Sequence, residues 1–459
     1  PEADDLDAFW DNLRTGRDCI REIPPERWAL ADFFDPHPGQ PGKSYSKWGG
    51  FLTDIDCFDP LFFQIAPRDA GFMDPQERLF LQTAWAAVEN AGYAPARLGD
   101  GQVGVFVGVM YGEYQLFAAE ARRAGRFLPA YAPYWSIPNR LSYIMNWRGP
   151  SLAVDTACSS SLSAIHLACE SLRRGECQAA LAGGVNLNLH PGKYLGLSHG
   201  RFASSDGRCR SFGADGDGYV PGEGVGALVL KPLSQAEADG DFIHGVIRAA
   251  AINHGGKTHR YTVPNPAAQG EVIAAALQQA NLEPASISYL EAHGTGTALG
   301  DPVEIAGLAR TFSASSGGSC ALGSVKSNIG HLEAAAGVAG VTKVLLQMRH
   351  QQLAPSLHAD PPNPNLDFTA TPFILQRSLT EWRSSQRPDG GAYPRLAGVS
   401  AFGAGGANAH VIIEEYHAPI RLEPAHGPLA FLLSARDGAR LQEQDRKSTR
   451  LNSSHVRLS

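Results

Sequence analysis

The chain has 459 residues, of which 43% are hydrophobic and 19% are charged, and its formal net charge is -7 at pH 7. This composition is typical of a globular protein with a large core, and the charge gives no reason to expect nucleic acid or an anionic membrane as a partner. Seven scattered cysteines without C-x-x-C spacing argue against a disulfide framework and a structural zinc site, and indicate a reducing compartment. Because the sequence has no apolar run of about 18 residues and no signal peptide, we expect a cytoplasmic protein.

Apolar periodicity predicts the elements of the first half of the chain. An amphipathic helix comes first, with Leu6, Phe9, Trp10 and Leu13 on its apolar side. No strand precedes it, so we expect the first strand of the fold to be missing. The other expected elements are a helix within residues 67–93, a helix and turn over 137–149, and strands over 102–110, 151–154, 178–189 and 224–230.

The pattern then restarts, which suggests a weak internal duplication. The second half is expected to contain helices over 271–280, 302–312 and 330–349, and strands over 242–252, 287–291, 320–325, 396–400 and 409–414. Strands alternating with helices predict a βαβ architecture with a covered, mainly parallel sheet.

The composition loosens from about residue 416 onward. We therefore expect one domain over 1–415, with a first half to about 240 and a second half over 241–415, followed by the start of a linker over 416–444. A strand-like run at 429–435 resembles the entry to a neighbouring domain. Residues 445–455 read DRKSTRLNSSH, a string that the DNA of a common sequencing adapter would encode. Residues 445–459 are therefore interpreted as an artefact rather than as a disordered polar tail.

One cysteine lies where a strand should turn into a helix. The stretch VDTACSSSL over 154–162 follows the strand at 151–154 and precedes a helical run that stops near Gly175. Cys158 is therefore expected at a helix N-terminus, where free N–H groups and the helix dipole favour the nucleophilic thiolate. The alternative is that Cys158 is one more small buried hydrophobe, the usual fate of a free cysteine.

Three further polar turns follow predicted strands. They contain His293 in EAHGTGT, Lys326 and His331 in KSNIGH, and the glycine-rich turn FGAGGAN at 402–408. Each histidine taken singly is more often structural than catalytic, and the glycine turn alone is weak evidence. Together, Cys158 and the two histidines would converge at the carboxyl ends of strands, where open α/β sheets place their sites.

These stretches resemble the signatures of a known family in order and in spacing. VDTACSSSL, EAHGTGTALGDP, KSNIGHLEAAAG and FGAGGANAH are similar to the four main motifs of the β-ketoacyl synthase domain of modular polyketide synthases, and the likeness extends over residues 6–415. The resemblance implies an α/β thiolase fold, with two similar βαβ-rich halves in five layers, αβαβα, and a homodimer. MYGEYQL, KYLGLSHGRFASSDGRCRSFG and SAFGAGGANAHVIIEEY look most like synthases that are served by a separate, trans-acting acyltransferase.

The resemblance also implies roles for individual residues. Cys158 would accept the acyl chain as a thioester, with the backbone N–H groups of Cys158 and Ala404 forming the oxyanion hole. His293 and His331 would bind the carbonyl of a malonyl thioester and stabilise the enolate as carbon dioxide leaves. Two imidazole donors suit that developing charge, and a thiolate both attacks thioesters and leaves well.

The remaining implied roles concern support and substrate delivery. Lys326 would support His331 and the local charge, while Thr295 and Thr297 would hold the phosphopantetheine arm of an acyl carrier protein. The expected partners are an upstream carrier protein that donates the acyl chain and a downstream one that donates malonate. No metal or redox cofactor is expected in the domain itself.

Four alternatives remain open at this point. A ketosynthase domain that only transfers acyl chains often lacks the histidine of the HGTGT motif, which is present here as His293. A thiolase or chalcone-synthase-like enzyme pairs its cysteine with a second cysteine or an asparagine. The paired histidines in this sequence argue against such an enzyme. A scaffold that only docks carrier proteins has no need of a reactive Cys158. A cysteine hydrolase would release free acid without malonate.

Overall fold

The computed structural model describes residues 1–312, 320–384, 393–418 and 437–442. The chain divides into one unit over Pro1–Tyr416 and a second over His417–Ser459. In the second unit, residues 437–442 contain a short helical turn in which the Leu441 N–H donates to Asp437 O. The predicted strand at 429–435 and the interpreted artefact at 445–459 lie outside the described residues.

The helices occur in both halves of the first unit. They are α1 (Leu6–Arg14), α2 (Leu30–Phe33), α3 (Pro67–Ala70), α4 (Pro75–Asn90), α5 (Tyr114–Arg123), α6 (Ser136–Met145), α7 (Ser160–Arg173), α8 (Pro191–His199), α9 (Leu233–Asp239), α10 (Pro266–Ala280), α11 (Gly300–Thr311), α12 (Lys326–Ile329) and α13 (Ala336–His350).

The strands form two large sheets and two small antiparallel pairs, β1–β2 and β10–β12. They are β1 (Arg21–Glu22), β2 (Trp48–Gly49), β3 (Val103–Gly108), β4 (Ser151–Val154), β5 (Ala179–Asn186), β6 (Gly224–Leu230), β7 (Val246–His254), β8 (Tyr289–Glu291), β9 (Cys320–Gly323), β10 (Gln352–Leu353), β11 (Phe373–Leu375), β12 (Thr380–Glu381), β13 (Leu396–Phe402) and β14 (Ala407–Glu414).

The two large sheets repeat one topology. The first has the order β4-β3-β5-β6, and the second contains the matching order β9-β8-β13-β14. In each set the first three strands are parallel and the fourth is antiparallel to its neighbour. The internal duplication that the sequence pattern suggested is therefore present in the strand order.

Helices cover both faces of each sheet. Helix α7 contacts β3 and β5 of the first sheet and β7 and β14 of the second, and α13 packs beside it between the sheets. On the outer faces, α4 and α6 lie against the first sheet, while α10 and α11 lie on the side of the second. These are five layers in the order αβαβα, and every residue of β3 and β5 is buried because both faces are covered.

The two halves differ beside the last strand of the repeated order. In the second half, β7 pairs antiparallel with the outer edge of β14. Beside β6, the described residues supply no equivalent strand, and a cavity of about 980 Å³ lies there, lined by consecutive residues of β6. In the second half the equivalent position is occupied by β7, so the expected first strand would lie here. That this strand is missing remains a prediction from the sequence.

Several expected elements need correction. The covered, mainly parallel arrangement is divided between two sheets, and each sheet also contains antiparallel strand pairs. The helix within 67–93 is two helices, α3 and α4, and the expected strand at 242–252 begins only at Val246. The helix over 330–349 is also interrupted, because Gly330 has a φ of +77° and Glu333 a φ of +47°, so α13 begins only at Ala336. Helices α5, α8 and α9 were not anticipated.

Candidate active site

Cys158 lies in a tight turn between β4 and α7. The preceding residue, Ala157, has a φ of +55°, a left-handed conformation that non-glycine residues adopt rarely and that is common at functional turns. Ser159 Oγ donates to Thr156 O at 2.8 Å and also lies 2.9 Å from Ala407 O. The turn is therefore tied to the glycine-rich turn between β13 and β14. Cys158 itself is 7% exposed.

The glycine-rich turn approaches this cysteine turn so closely that a side chain would not fit. A Cβ on Gly403 would lie 2.3 Å from Thr156 O, while the Gly403 N–H donates to Ala407 O at 2.7 Å. The backbone N–H groups of Ala404 and of Cys158 lie close enough to the cysteine sulfur to lower the pKa of the thiol as hydrogen-bond donors. These are the two donors that the sequence-based prediction named for the oxyanion hole.

Burial outweighs the stabilisation of the thiolate that was expected from the helix N-terminus. Burial raises the pKa of the Cys158 thiol to about 12, and the negative charge of Glu333 adds to the rise. Lys326 and the two backbone N–H groups oppose this rise but do not overcome it. Desolvation penalises the charged form more than the helix terminus stabilises it. Cys158 therefore rests as a thiol and must lose its proton during reaction.

The two histidines lie together, but only one follows a strand directly. His293 comes two residues after β8, whereas His331 comes after α12 and the Gly330 turn rather than at a strand end. Their ring centroids are 5.4 Å apart and the ring planes are nearly perpendicular, at 85°. The predicted convergence of the two imidazoles is present, although a strand end does not explain the position of His331.

Backbone donors fix the tautomer of both rings. The Phe402 N–H lies 3.4 Å from Nδ1 of His293, and the Glu333 N–H donates to Nδ1 of His331 at 2.9 Å. A neutral imidazole that accepts at Nδ1 carries its proton on Nε2. Nε2 of His331 is buried and has no hydrogen-bond partner in the described part of the chain. Both rings therefore offer an Nε2–H donor.

Burial also keeps both rings neutral. The pKa values of His293 and His331 are lowered well below the usual value, first by desolvation and then by the charge of Lys326. Burial in turn lowers the pKa of Lys326, although nearby Glu291 and Glu304 oppose that change. Lys326 thus interacts electrostatically with the cysteine and with both histidines, while its predicted support of His331 stays a prediction.

The two predicted threonines lie on the loop that follows His293. Their hydroxyl oxygens are 3.2 Å apart, and both side chains are half-buried. Thr297 Oγ1 also accepts the Gly300 N–H at 3.0 Å, at the start of α11. Thr297 therefore has a structural contact in addition to the role predicted for it.

Sequence reasoning missed the acidic residues that hold this loop. Glu304 accepts the backbone N–H groups of His293 at 2.7 Å and Gly294 at 2.8 Å, and burial raises its pKa to about 7. Asp301 accepts the N–H groups of Phe212 and Gly296 at 2.6 and 3.1 Å. The signal was available, because both acids follow the HGTGT stretch in GDPVE, but nothing local indicates what they bind.

Comparison with known families decides the identity of the fold. The model of the β-ketoacyl synthase N-terminal domain matches residues 1–236, and that of the C-terminal domain matches residues 244–360. The chain belongs to the β-ketoacyl synthase family. The predicted family and the α/β thiolase-type fold are both confirmed.

The relatives include large polyketide synthases. The ketosynthase chain is 62% identical over 455 residues to polyketide synthase ThaG of Burkholderia thailandensis, a match that covers 96% of this chain and 8% of that protein. It is 56% identical over 459 residues to polyketide synthase PksL of Bacillus subtilis, covering 97% of this chain and 10% of that protein. The chain thus spans a tenth or less of the length of these two relatives.

Solved ketosynthase structures have the same fold. The oxazolomycin ketosynthase domain OzmH KS7 of Streptomyces albus is 53% identical with a TM-score of 0.97, covering 99% of this chain and 80% of that one. The ketosynthase from module 6 of the Bacillus subtilis bacillaene synthase is 40% identical with a TM-score of 0.89, covering 100% and 76% of the two chains. Within the described residues of the present ketosynthase, no helix is both long and apolar enough to cross a membrane.

Proposed function

We propose that this ketosynthase domain extends a Cys158-bound acyl chain by decarboxylative Claisen condensation with a malonyl-carrier protein. The observation that carries the proposal is the pair of neutral imidazoles, His293 and His331, both with the proton on Nε2. Lys326 acts electrostatically on both imidazoles and on Cys158, whose thiolate is also favoured by two backbone N–H groups. An acyl-transfer step and an enolate-forming step each need such a set of donors.

In the first half-reaction, the Cys158 sulfur attacks the carbonyl carbon of an acyl-pantetheine thioester. The new C–S bond forms, the bond to the pantetheine sulfur breaks, and the thiol proton leaves with the pantetheine thiol. Negative charge develops on the carbonyl oxygen, where the N–H groups of Cys158 and Ala404 would stabilise it. Because the thiol has a raised pKa, its proton must be transferred as the sulfur attacks.

In the second half-reaction, a malonyl thioester loses carbon dioxide. The electron pair of the broken C–C bond passes to the thioester oxygen, which accepts hydrogen bonds from Nε2–H of His293 and His331. The enolate carbon then attacks the Cys158 thioester, and the sulfur departs and takes up a proton. The product is a β-ketoacyl thioester on the carrier protein, and the cysteine thiol is regenerated.

Intact-protein mass spectrometry with synthetic acyl-pantetheine thioesters and malonyl-carrier protein tests this function. We expect an acyl adduct on Cys158, followed by a carrier-bound product two carbons longer. Loading without extension would support the alternative of a domain that only transfers acyl chains. Free acid would point to a hydrolase, and a cysteine that is never acylated would leave only the docking scaffold.

Delivery of substrates by acyl carrier proteins is part of the same proposal. The half-buried hydroxyls of Thr295 and Thr297, 3.2 Å apart, would hydrogen-bond the phosphopantetheine arm. The likeness to polyketide synthases supports carrier proteins as partners. A cytoplasmic location and a domain without its own cofactor are part of the same proposal. Motifs such as MYGEYQL support a separate, trans-acting acyltransferase. We expect the downstream carrier protein to be malonylated only when a stand-alone acyltransferase is added.

A homodimer is proposed on the basis of the exposed surface around β4. This strand is at the edge of its sheet, and Leu152 on it is 47% exposed. Tyr131 and Trp135, just before α6, and Tyr143 on α6 are 60%, 59% and 84% exposed. An unpaired apolar edge favours pairing with a second copy, which would bury more than about 2,000 Å² in an obligate dimer. Light scattering that finds an active species of 49.0 kDa would refute this proposal.

A further inference from the structure

Glu333 adopts a strained backbone beside a predicted catalytic histidine. It comes two residues after His331, and its φ of +47° lies in the left-handed region that non-glycine residues rarely adopt. Such a conformation persists only when the surrounding structure holds it in place. The side chain of Glu333 is 0% exposed, so the contacts that hold it lie within the protein.

Two buried partners anchor this carboxylate. Lys193, on the first turn of α8, forms an ion pair with Oε2 of Glu333, and the lysine side chain is also 0% exposed. The Tyr219 hydroxyl donates to Oε1 of Glu333 at 3.1 Å. Lys193 Nζ additionally donates to Asn186 Oδ1 at 3.1 Å and lies 4.3 Å from the ring centroid of Tyr111. Because a buried charge is costly without its partner, the carboxylate has few alternative positions.

The anchored backbone acts directly on the imidazole. With the side chain held, the Glu333 N–H points at Nδ1 of His331 at 2.9 Å, while the Tyr219 ring packs 4.8 Å from the imidazole centroid. If residue 333 relaxed to a negative φ while α13 stayed in place, the peptide between residues 332 and 333 would have to rotate. Its N–H would then turn away, and Nδ1 would no longer be required to accept. The ring could then carry its proton on either nitrogen.

We propose that Glu333, anchored by Lys193 and Tyr219, is a positioning residue that fixes the proton of His331 on Nε2. This inference rests on the proposed function, because Nε2–H is the donor that decarboxylation needs. The buried Nε2 of His331 has no partner in the described ranges, as expected of a donor reserved for a substrate. The charge of Lys193 contributes further by disfavouring the imidazolium form, in addition to burial, Lys326 and His293.

A matched pair of variants separates backbone positioning from the loss of charge. Both are made with Lys193→Met, so that no buried ammonium is left unpaired, and they differ only in Glu333→Ala or Glu333→Gly. Neither retains the anchor, but glycine tolerates a positive φ whereas alanine does not. We expect the alanine variant to lose about 10-fold or more in decarboxylation, as is usual for groups that orient a functional side chain, and the glycine variant to retain most of it. Both variants lose the Glu333 charge that raises the pKa of the Cys158 thiol, so any change in acyl loading should be the same in the two.

Nitrogen-15 NMR of histidine-labelled protein supplies a readout that a merely structural role would not change. We expect His331 to be protonated only at Nε2 in the parent chain and to show a mixture of tautomers in the alanine variant. Equal decarboxylation by the two variants, or an unchanged tautomer in the alanine variant, would overturn the proposal. If the double variants do not fold, Tyr219→Phe removes one anchor conservatively, and an unchanged tautomer there would likewise refute it. Failure of the proposed function would appear separately, as a parent chain that does not decarboxylate malonyl-carrier protein.

Discussion

Replacing His293 by alanine should separate the two half-reactions. The change removes one of the two Nε2–H donors that we propose for the developing enolate oxygen. Removal of one such donor typically costs about 100- to 1,000-fold in rate, or about 2.7–4 kcal/mol of transition-state stabilisation. We therefore expect decarboxylation of malonyl-carrier protein to fall by that factor. At Nδ1 the substitution removes one weak hydrogen bond, from the Phe402 N–H at 3.4 Å, so folding should be little affected.

Acyl loading should survive in the same variant, because its oxyanion is expected to bind the N–H groups of Cys158 and Ala404. Carbon dioxide release from labelled malonyl-carrier protein measures one step, and the mass of the acylated protein measures the other. His244→Ala is the matched control, since this exposed histidine lies just before β7 and contacts Asn90 Oδ1, away from the predicted site residues. Decarboxylation within about threefold of the parent rate would remove His293 from the enolate site.

Three further predictions concern the same residues. Cys158→Ala should abolish acyl loading while Cys169→Ala leaves it intact, and an acyl group on any other cysteine in the mass spectrum would contradict the mechanism. Glu304→Gln leaves one of two loop N–H groups without a good acceptor, so the free energy of unfolding should fall by about 1–3 kcal/mol and the melting temperature should fall with it. The rate of decarboxylation should decrease more than the rate of acyl loading. Because burial depresses the pKa of His293 and His331, NMR should show both rings neutral from pH 8 to 6. As the pH falls below about 6.5, the unfolded chain binds protons that the folded chain excludes, so the free energy of unfolding should decrease. Titration of either imidazole with a midpoint near pH 6.5 would contradict this prediction.

Local patterns were sufficient to predict much of the fold. The strand at Gly224–Leu230 has the predicted bounds, and so does Ser151–Val154, because each apolar run begins and ends at residues that interrupt strands. The position of Cys158 at the start of α7 also follows from its immediate neighbours. These features depend on a few adjacent residues, which a single sequence contains in full.

The interruption before α13 depends on distant residues and could not be predicted. Residues 330–349 are rich in alanine and leucine-like helix formers, which favour a continuous helix. That preference loses to Gly330 and to the left-handed Glu333, whose carboxylate is held by Lys193 from the other half of the chain. The spacing of residues along the sequence does not indicate the ion pair or its effect on His331. The packing of the two halves determines that Lys193 is the partner of Glu333.

A single physical cause, the exclusion of water, sets the protonation of the whole site. It raises the pKa of Cys158 to about 12 and lowers the pKa values of His293 and His331, because in each case burial penalises the charged form. The consequences for the two half-reactions are opposite. Condensation benefits, because neutral imidazoles are the hydrogen-bond donors that an enolate requires at neutral pH. Acyl transfer is hindered, because the Cys158 thiol must give up its proton as it attacks. The two backbone N–H groups and Lys326 are therefore needed to stabilise the negative charge that develops at the sulfur.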